Sequence, residues 1–300
     1  MLLAVLDLAL GGGLASNRIV YGPALLERYR RLFAAVASTG DHANPYFPFF
    51  HLTGKLQDKT VSFWHLQALP GREAVVEAMS TARGDGDILN NIAWAWLDDD
   101  LFALLQDTRA VVALSDTLTT HWFERGMAEL QRVAGRCHEV SRYERMLRDG
   151  SCIALGEPVP PSYVRDGAFR RVVIEGYDYR CAATGLRVLL DGGEAMVEAA
   201  HIHPHAMSGD DDPSNGLALT PDMHWAMDRN LIAPGPDLRW HVSRVLDDRI
   251  PDFGRLIALE GRDLFLPSNR SLVPRADVLE WRLDRLRQLD WRPAVLPSAS

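Results

Sequence analysis

Hydrophobic residues in the first half of the chain recur mainly at helical spacing. Leu2 to Leu10 places leucines on one face of a helix, and Leu25 to Val36, which follows a glycine and a proline, shows the same period. Asp98 to Asp100 supply capping residues ahead of another apolar run. The stretch from Thr108 to Leu147 keeps helical periodicity throughout. The pattern therefore predicts that helices dominate this half.

Two segments between these helices are typical of strands instead. Phe47 to Leu52 and Val61 to Leu69 are rich in aromatic and β-branched residues. A loop of turn formers, Ser38 to Pro45, leads into the first of them. We therefore predict that the N-terminal half mixes helices with short strands.

A change in composition near residue 150 predicts a domain boundary. Gly150 to Val164 contains three prolines and has little periodicity. The prediction is a first domain at residues 1–149, a linker at 150–163 and a second domain at 164–300. Within the second domain, Arg165 to Tyr177 is predicted to form a short helix, and a terminal helix is expected from about Arg275 to Leu286.

The middle of the second domain has the order strand, loop, strand, helix. Met196 to Ile202 is apolar enough for a strand, and Pro204 to Ser214 is a polar loop of turn formers. A second short strand, Leu217 to Leu219, leads to Thr220 and Pro221, a cap followed by proline at the first helical position. The fold class predicted for the whole chain is therefore α+β, with a ββα unit in its C-terminal half.

Three short motifs fall on this ββα unit. They are AHIHP at 200–204, NGLAL at 215–219 and H-x-x-x-D from His224 to Asp228, and they are preceded by CAATG at 181–185. In this order they resemble the HNH, or ββα-metal, endonuclease family.

The resemblance implies a role for each of three side chains. His201 would be the general base that activates water, and the amide of Asn215 would hold the loop that orients it. His224 would ligate one divalent metal ion, Mg²⁺ or Mn²⁺. A histidine suits a base because its unperturbed pKa of about 6.5 leaves it mostly neutral near pH 7.

The second metal ligand is open, because Ala200 stands where many family members have an aspartate. Asp228 lies one helical turn after His224, so the two side chains share a face and could both reach a metal. Glu198 and His203 are the alternatives, but strand alternation puts Glu198 on the face opposite the base. We therefore expect His224 and Asp228 to hold the metal.

The N-terminal half resembles a second family. PYFPFFHL at 45–52, WLDDDLFALL at 96–105 and the leucine-rich first helix are similar to the sulfur-recognition domains of McrA-like type IV restriction endonucleases, which cut DNA that carries phosphorothioate linkages. The family usually has tyrosine where Phe47 stands and a basic pair ahead of the first helix. This chain begins inside that helix, so either the natural start lies upstream or the pocket lacks a basic wall.

This resemblance implies an apolar cup of Phe47 and Pro48 that accepts sulfur, with His51 and Arg72 as phosphate contacts. Sulfur is larger and more weakly hydrated than oxygen, so the cup accepts it at small cost. An ordinary phosphate oxygen placed there would lose its water, at a cost of about 1 to 3 kcal/mol. The alternative is that Phe47 to Phe50 are only core aromatics of a strand.

Composition limits the partners and the compartment. A net charge of −8 counts against a protein that coats nucleic acid indiscriminately. The three cysteines, Cys137, Cys152 and Cys181, form no C-x-x-C pair, which argues against a disulfide framework or a zinc knuckle. No apolar run approaches the roughly 20 residues that span a bilayer. We therefore expect a cytoplasmic protein with reduced thiols and no membrane partner.

Together these features predict a modification-dependent DNA endonuclease, in which an N-terminal recognition domain precedes a C-terminal HNH domain. The expected partner is double-stranded DNA, modified, and a homodimer is one option for the assembly. One alternative is an HNH nuclease that acts on methylated or unmodified DNA. Another is a non-catalytic DNA-binding protein that retains the ββα scaffold, although the presence of all three H-N-H positions argues against it.

Overall fold

The computed structural model describes residues 1–54, 62–121, 127–151, 160–190 and 193–290. The chain forms two compact units. The N-terminal unit comprises Met1–Ala168 with Leu189–Glu194, and the C-terminal unit begins with Phe169–Val188 and resumes at Ala195. Most of the predicted linker, 152–159, lies outside the described residues, so the boundary at 150–163 stays a prediction. Helices and short antiparallel strands occur in both units, and the predicted α+β class is confirmed.

The N-terminal unit is mainly helical, with one antiparallel pair of strands. Its strands are β1 (Trp64–Ala68) and β2 (Ile92–Leu97), and its helices are α1 (Leu2–Leu10), α2 (Pro23–Ala34), α3 (Tyr46–His51), α4 (Glu73–Ala78), α5 (Asp85–Leu89), α6 (Asp99–Leu104), α7 (Thr108–His121), α8 (Met127–Asp149) and the first part of α9 (Ser162–Gly176), up to Ala168.

The first helix lies at the centre of the N-terminal unit. The predicted bounds of α1 are confirmed, but every residue from Leu3 to Leu10 is buried, not one face alone. Helices α2, α7 and α8 pack around it. A helix covered on all sides must be apolar all round, which explains why Asp7 is the one charged residue of α1.

A buried ion pair network joins α1 to its neighbours. The Nε of Arg28 lies 3.3 Å from a carboxylate oxygen of Asp7, and its Nη2 donates to both oxygens of Glu144 at 2.8 Å. Ser141 donates to the other oxygen of Asp7 at 2.7 Å. All four side chains are buried. A Cβ at Gly11 would lie 2.8 Å from Glu144, so this carboxylate also requires a glycine where α1 ends.

Replacing Arg28 with leucine is expected to destabilise the protein by about 3 to 5 kcal/mol, because the change leaves Asp7 and Glu144 buried without their cation. The measurement is the free energy of unfolding in urea. Arg31→Leu is the matched control, since Arg31 is exposed and pairs with Glu27 on the surface of the same helix, and it should cost about 0 to 1 kcal/mol. Equal losses in the two variants would contradict the prediction.

The strand predicted at Phe47 to Leu52 is wrong, because Tyr46–His51 forms helix α3. Pro48 falls in the first turn, where its missing N–H would have no partner within the helix. Phe49 and Phe50 are fully buried, and Phe49 makes edge contacts with the rings of Tyr21 and Trp64. Core packing by these two rings has overridden the β propensity of the segment.

The other sequence predictions for this unit are confirmed in part. Within Val61 to Leu69, residues 64–68 form β1, and Val61 lies outside the described residues. Strand β2 was not predicted. Asp98 precedes α6, but its carboxylate is 2.7 Å from His65 and makes no capping hydrogen bond. The long helical stretch after Thr108 is present as α7 and α8, on either side of residues outside the description.

The C-terminal unit is built around the predicted ββα order, which is confirmed. Its strands are β3 (Glu198–His201), β4 (Gly216–Leu219), β5 (Ile232–Pro234) and β6 (Trp240–Val242); its α-helices after α9 are α10 (His205–Ser208), α11 (Pro221–Asp228), α12 (Gly254–Ile257) and α13 (Ala276–Asp290); and its 3-10 turns are Pro213–Asn215, Pro251–Phe253 and Arg270–Leu272. Strands β5 and β6 form a hairpin that was not predicted.

The register of β3 on β4 decides which side chains lie together. The strands are antiparallel, with Glu198 opposite Leu219 and His201 opposite Gly216. A Cβ at Gly216 would lie 2.6 Å from a methyl group of Val173 and 2.8 Å from the ring of Phe169, both on α9. Only glycine therefore fits opposite His201. Among the described residues, no helix has the length and apolar composition needed to cross a membrane.

Candidate active site

The first of the three motif residues, His201, lies at the end of β3 with its ring held flat against Phe169. The ring centroids are 3.9 Å apart and the planes differ by 3°. The Nε2 atom lies 3.5 Å from a carboxylate oxygen of Asp211, and the side chain is 21% exposed. This packing fixes the plane of the imidazole while leaving part of it open to solvent.

Asn215, the second motif residue, is fully buried and holds the loop between the strands. Its Nδ2 donates to the carbonyl oxygens of His203 at 2.9 Å and Asp210 at 3.1 Å, and its Oδ1 accepts from the backbone N–H of His203 at 2.8 Å. Its own carbonyl accepts from the N–H of Ile202. The amide thus ties both ends of the loop to one point next to His201.

The third motif residue, His224, lies in the first turns of α11 between two carboxylates. Its Nδ1 is 2.9 Å from an oxygen of Glu198, and its Nε2 is 3.6 Å from an oxygen of Asp228. Glu198 and His201 are three positions apart on β3 and so lie on opposite faces of the strand, as predicted. The side chain of Glu198, however, contacts His224 on α11. A metal ligand must face His224, so the alternation is no reason to set Glu198 aside. His203, the other alternative, is stacked on Trp281 at 4.0 Å.

The residues around His224 fit a divalent metal ion. Two ligands bound at about 2.1 Å to one ion lie roughly 3 to 3.6 Å apart, and the Nε2 of His224 and the carboxylate of Asp228 have that spacing. The contact with Glu198 occupies the other ring nitrogen, as a carboxylate commonly does behind a metal-binding histidine. Within the described ranges no cluster of three or more histidine, cysteine or acidic side chains is arranged around a metal. With His224 and Asp228 as ligands, water and phosphate would complete the shell of a bound ion.

Two arginines of the C-terminal segment support the site, and the sequence analysis missed both. Arg275 donates to Asp210 at 2.5 Å and to the hydroxyl of Ser214 at 3.2 Å. Partial burial lowers the pKa of Arg275, but hydrogen bonds to Asp210 and Asp277 outweigh this effect, so the pKa is raised above its ordinary value.

Arg282 is buried and donates from its Nε to the carbonyl of Ile202 at 2.6 Å and from its Nη2 to that of His201 at 3.3 Å. Burial lowers the pKa of Arg282, the negative charge of the nearby Asp228 offsets part of this effect, and the resulting pKa is about 10. The signal in the sequence was an arginine on the apolar stripe of α13, among Val278, Leu279, Leu283 and Leu286.

Cys181 is also structural in this unit. Its sulfur accepts from the N–H of Thr220, the residue that precedes α11, at 3.4 Å. Cys181 and Cys137 are buried, and Cys152 lies outside the described residues. Reduced thiols stay a prediction.

The predicted recognition residues lie in the N-terminal unit. Phe47 is 44% exposed and its ring contacts that of His51 at 4.2 Å, while Pro48 is half-buried beside it. Nε2 of His51 is 3.0 Å from the hydroxyl of Thr81, and burial lowers the pKa of this histidine. Arg72 is exposed at the start of α4. In the part of the chain that the structure describes, no hydrogen bond or ring contact joins Arg72 to the other three.

Comparison with known proteins agrees with this geometry. Residues 181–233 match the family model of HNH endonucleases, and the match includes His201, Asn215 and His224. No curated protein matches the chain. One of the solved structures that it resembles is described as a modification-dependent TagI restriction endonuclease, with 18% identity and a TM-score of 0.31 over 51% of this chain and 46% of that one. The chain thus spans a little under half the length of that structure. On the family match, residues 181–233 form an HNH endonuclease domain.

Proposed function

We propose that this protein is a modification-dependent endonuclease that hydrolyses phosphodiesters of double-stranded DNA. The observation that carries the proposal is the placement of the three motif residues on one ββα unit. The ring of His201 is held against Phe169, Asn215 ties the loop next to it, and His224 stands between two carboxylates. A scaffold that only bound DNA would have no need of a histidine flanked by Glu198 and Asp228.

His201 acts as the general base in this proposal. It takes a proton from water as the water oxygen forms a bond to phosphorus. The bond from phosphorus to the 3′-oxygen breaks, and that oxygen takes a proton from solvent. The products are a 5′-phosphate and a 3′-hydroxyl. A positioned base contributes about 10² to 10⁴ in rate, so His201 alone does not account for the reaction.

His224 and Asp228 hold the divalent ion in this proposal, and Glu198 orients the imidazole of His224 through Nδ1. Mg²⁺ or Mn²⁺ bound there would supply neutralisation of charge on the phosphate and on the leaving oxygen. Arg282 links the strand that carries His201 to the helix that carries His224, since its guanidinium donates to the carbonyls of His201 and of Met227 on α11.

Sulfur recognition is assigned to the surface of α3. Of the aromatic residues in this helix, Phe49 and Phe50 are core, whereas Phe47 is exposed. The alternative that all of them serve the core therefore does not apply to Phe47. Its ring and the methylenes of Pro48 offer an apolar surface to DNA, with His51 beside them as a hydrogen-bonding group.

The proposed function is tested by incubating the protein with three matched plasmids, phosphorothioated, methylated and unmodified, with Mg²⁺ or Mn²⁺ and with EDTA. Cleavage of the phosphorothioated plasmid alone, abolished by EDTA, is the expected result. Cleavage of the methylated or of all three plasmids would retain the nuclease and remove the sulfur assignment. No cleavage of any plasmid with either metal would contradict the nuclease itself.

Substitution of Pro48 by asparagine is expected to remove the preference for sulfur, because an amide in the cup can hydrogen-bond an ordinary phosphate oxygen. The measurement is binding, at moderate salt, to a duplex with one phosphorothioate of defined stereochemistry and to its unmodified twin. The natural protein should prefer sulfur by at least about tenfold, or 1.4 kcal/mol. Leu89→Asn, a change at an exposed leucine of the same unit, should keep that preference. Equal affinity of the natural protein for both duplexes would exclude the sulfur cup.

A further inference from the structure

The loop between β3 and β4 carries three consecutive aspartates that face in different directions. Asp210 is half-buried and Asp212 is exposed, whereas Asp211 is buried. An oxygen of Asp211 lies 3.5 Å from Nε2 of His201 and 3.5 Å from Nε2 of His205. A single carboxylate therefore points inward from a polar loop to the proposed base.

The backbone on both sides of Asp211 is fixed by other residues. Asn215 binds the carbonyl of Asp210, and Arg275 binds its carboxylate. The carboxylate of Asp212 accepts from the N–H and the hydroxyl of Ser214 at 2.8 and 2.6 Å, and it lies 3.4 Å from Arg275. These contacts hold the two neighbours on the outer side of the loop. The position of the inner carboxylate follows from them.

His201 offers one nitrogen to this carboxylate. Its Nε2 is buried and has no hydrogen bond of ordinary length to any residue in the described part of the chain; the Asp211 oxygen at 3.5 Å is the acceptor the structure places before it. Stacking on Phe169 prevents the ring from turning freely. Catalytic hydrogen bonds are often long in the free enzyme and shorten when substrate binds.

We propose that Asp211 is a positioning residue for the general base, a step that rests on the proposed function. Its carboxylate accepts the N–H of His201 at Nε2. A neutral imidazole has one donor and one acceptor nitrogen, so this bond leaves Nδ1 with the lone pair. Nδ1 is then the atom that takes the proton from water, and the imidazolium that results keeps its Nε2–H against a negative charge.

The groups that surround His201 support this assignment over one to His205. The flat face of the ring is covered by Phe169, and the guanidinium of Arg282 is bound to the backbone oxygen of His201, not to its ring. The ring of His205 lies 5.8 Å away and is the more exposed of the two. Over the described ranges, the carboxylate that lies within 4.0 Å of a ring nitrogen of His201 is that of Asp211, and His205 competes for the same oxygen from the solvent side.

The experiment follows the ring protons of ¹⁵N-histidine-labelled protein by NMR, with His201→Ala to identify the resonance. In the natural protein we expect His201 to carry a proton on Nε2 that exchanges slowly with water and is shifted downfield. In Asp211→Asn this resonance should be lost or move upfield. Asp263→Asn is the control, because Asp263 is exposed in the same unit and pairs with Arg239 away from the loop, and it should leave the resonance in place.

Kinetics supply the second readout. Asp211→Asn should lower kcat for DNA cleavage by about tenfold or more and leave KM unchanged, since the carboxylate acts through the base and not on DNA. A proton on Nδ1 in the natural protein, or an unchanged Nε2 resonance in Asp211→Asn, would overturn the proposal. If the natural protein cuts no DNA, the proposed function fails while the NMR result still decides whether Asp211 binds His201.

Discussion

Alanine in place of His201 is expected to lower the rate of DNA cleavage by about 10² to 10⁴ and to leave folding and DNA affinity nearly intact. The variant removes the imidazole proposed as the base. Asn215 keeps its hydrogen bonds to the loop, and Phe169 keeps its packing against Gly216. The measurement is plasmid nicking under single-turnover conditions with Mg²⁺ and with Mn²⁺.

Two checks make this prediction specific to the base. His241→Ala removes a histidine of the same unit that pairs with Asp237 and lies outside the matched family segment, so it should retain cleavage. Thermal unfolding and DNA binding of both variants show whether the fold has changed. Substantial nicking by His201→Ala with either metal would contradict the assignment of His201 as the base.

The ββα unit could be predicted because each of its elements is specified by residues close together in sequence. An apolar run ends at His201, turn formers follow it, and a threonine and a proline begin α11. Gly216 lies opposite His201, and a side chain at this position would clash with Val173 and Phe169 on α9, so the packing of β4 on α9 requires glycine there. Local signals of this kind determine local structure, and here they also determine where the motif residues lie.

Packing with distant residues decided what the sequence did not show. Segment 46–51 has strand-forming residues, but it is a helix because Phe49 packs against Tyr21 and Trp64 and Phe50 is buried in the same core. The hairpin of β5 and β6 was hidden by Pro234, which is tolerated at the end of a short strand.

The support of the site was the least predictable part, because its contacts span large distances in sequence. Arg275 and Arg282 reach the loop and strand from 61 to 81 residues away along the chain. The role of Glu198 was hidden for the same reason. The alternation of β3 does not reveal where α11 lies, and the position of α11 brings His224 to Glu198.

Loss of His224 is expected to abolish metal-dependent cleavage, with an effect at least as large as that of losing the base. His224→Ala removes the nitrogen that faces Asp228, and it also leaves Glu198 without the imidazole it contacts. Asp228→Ala removes one carboxylate ligand but keeps the oriented histidine. Calorimetric titration with Mn²⁺ should therefore show metal binding lost in His224→Ala and weakened in Asp228→Ala.

A series at the two carboxylates separates direct ligation from orientation of the histidine. If Glu198 only orients His224, Glu198→Gln should weaken Mn²⁺ binding by about 10- to 100-fold, the usual effect of removing a carboxylate behind a metal-binding histidine. Asp222→Asn is the control on the same helix, because Asp222 pairs with Arg255 and should leave the affinity unchanged. Unchanged affinity in Asp228→Ala, with binding lost in Glu198→Gln, would make Glu198 the second ligand, in the place that Ala200 leaves without one.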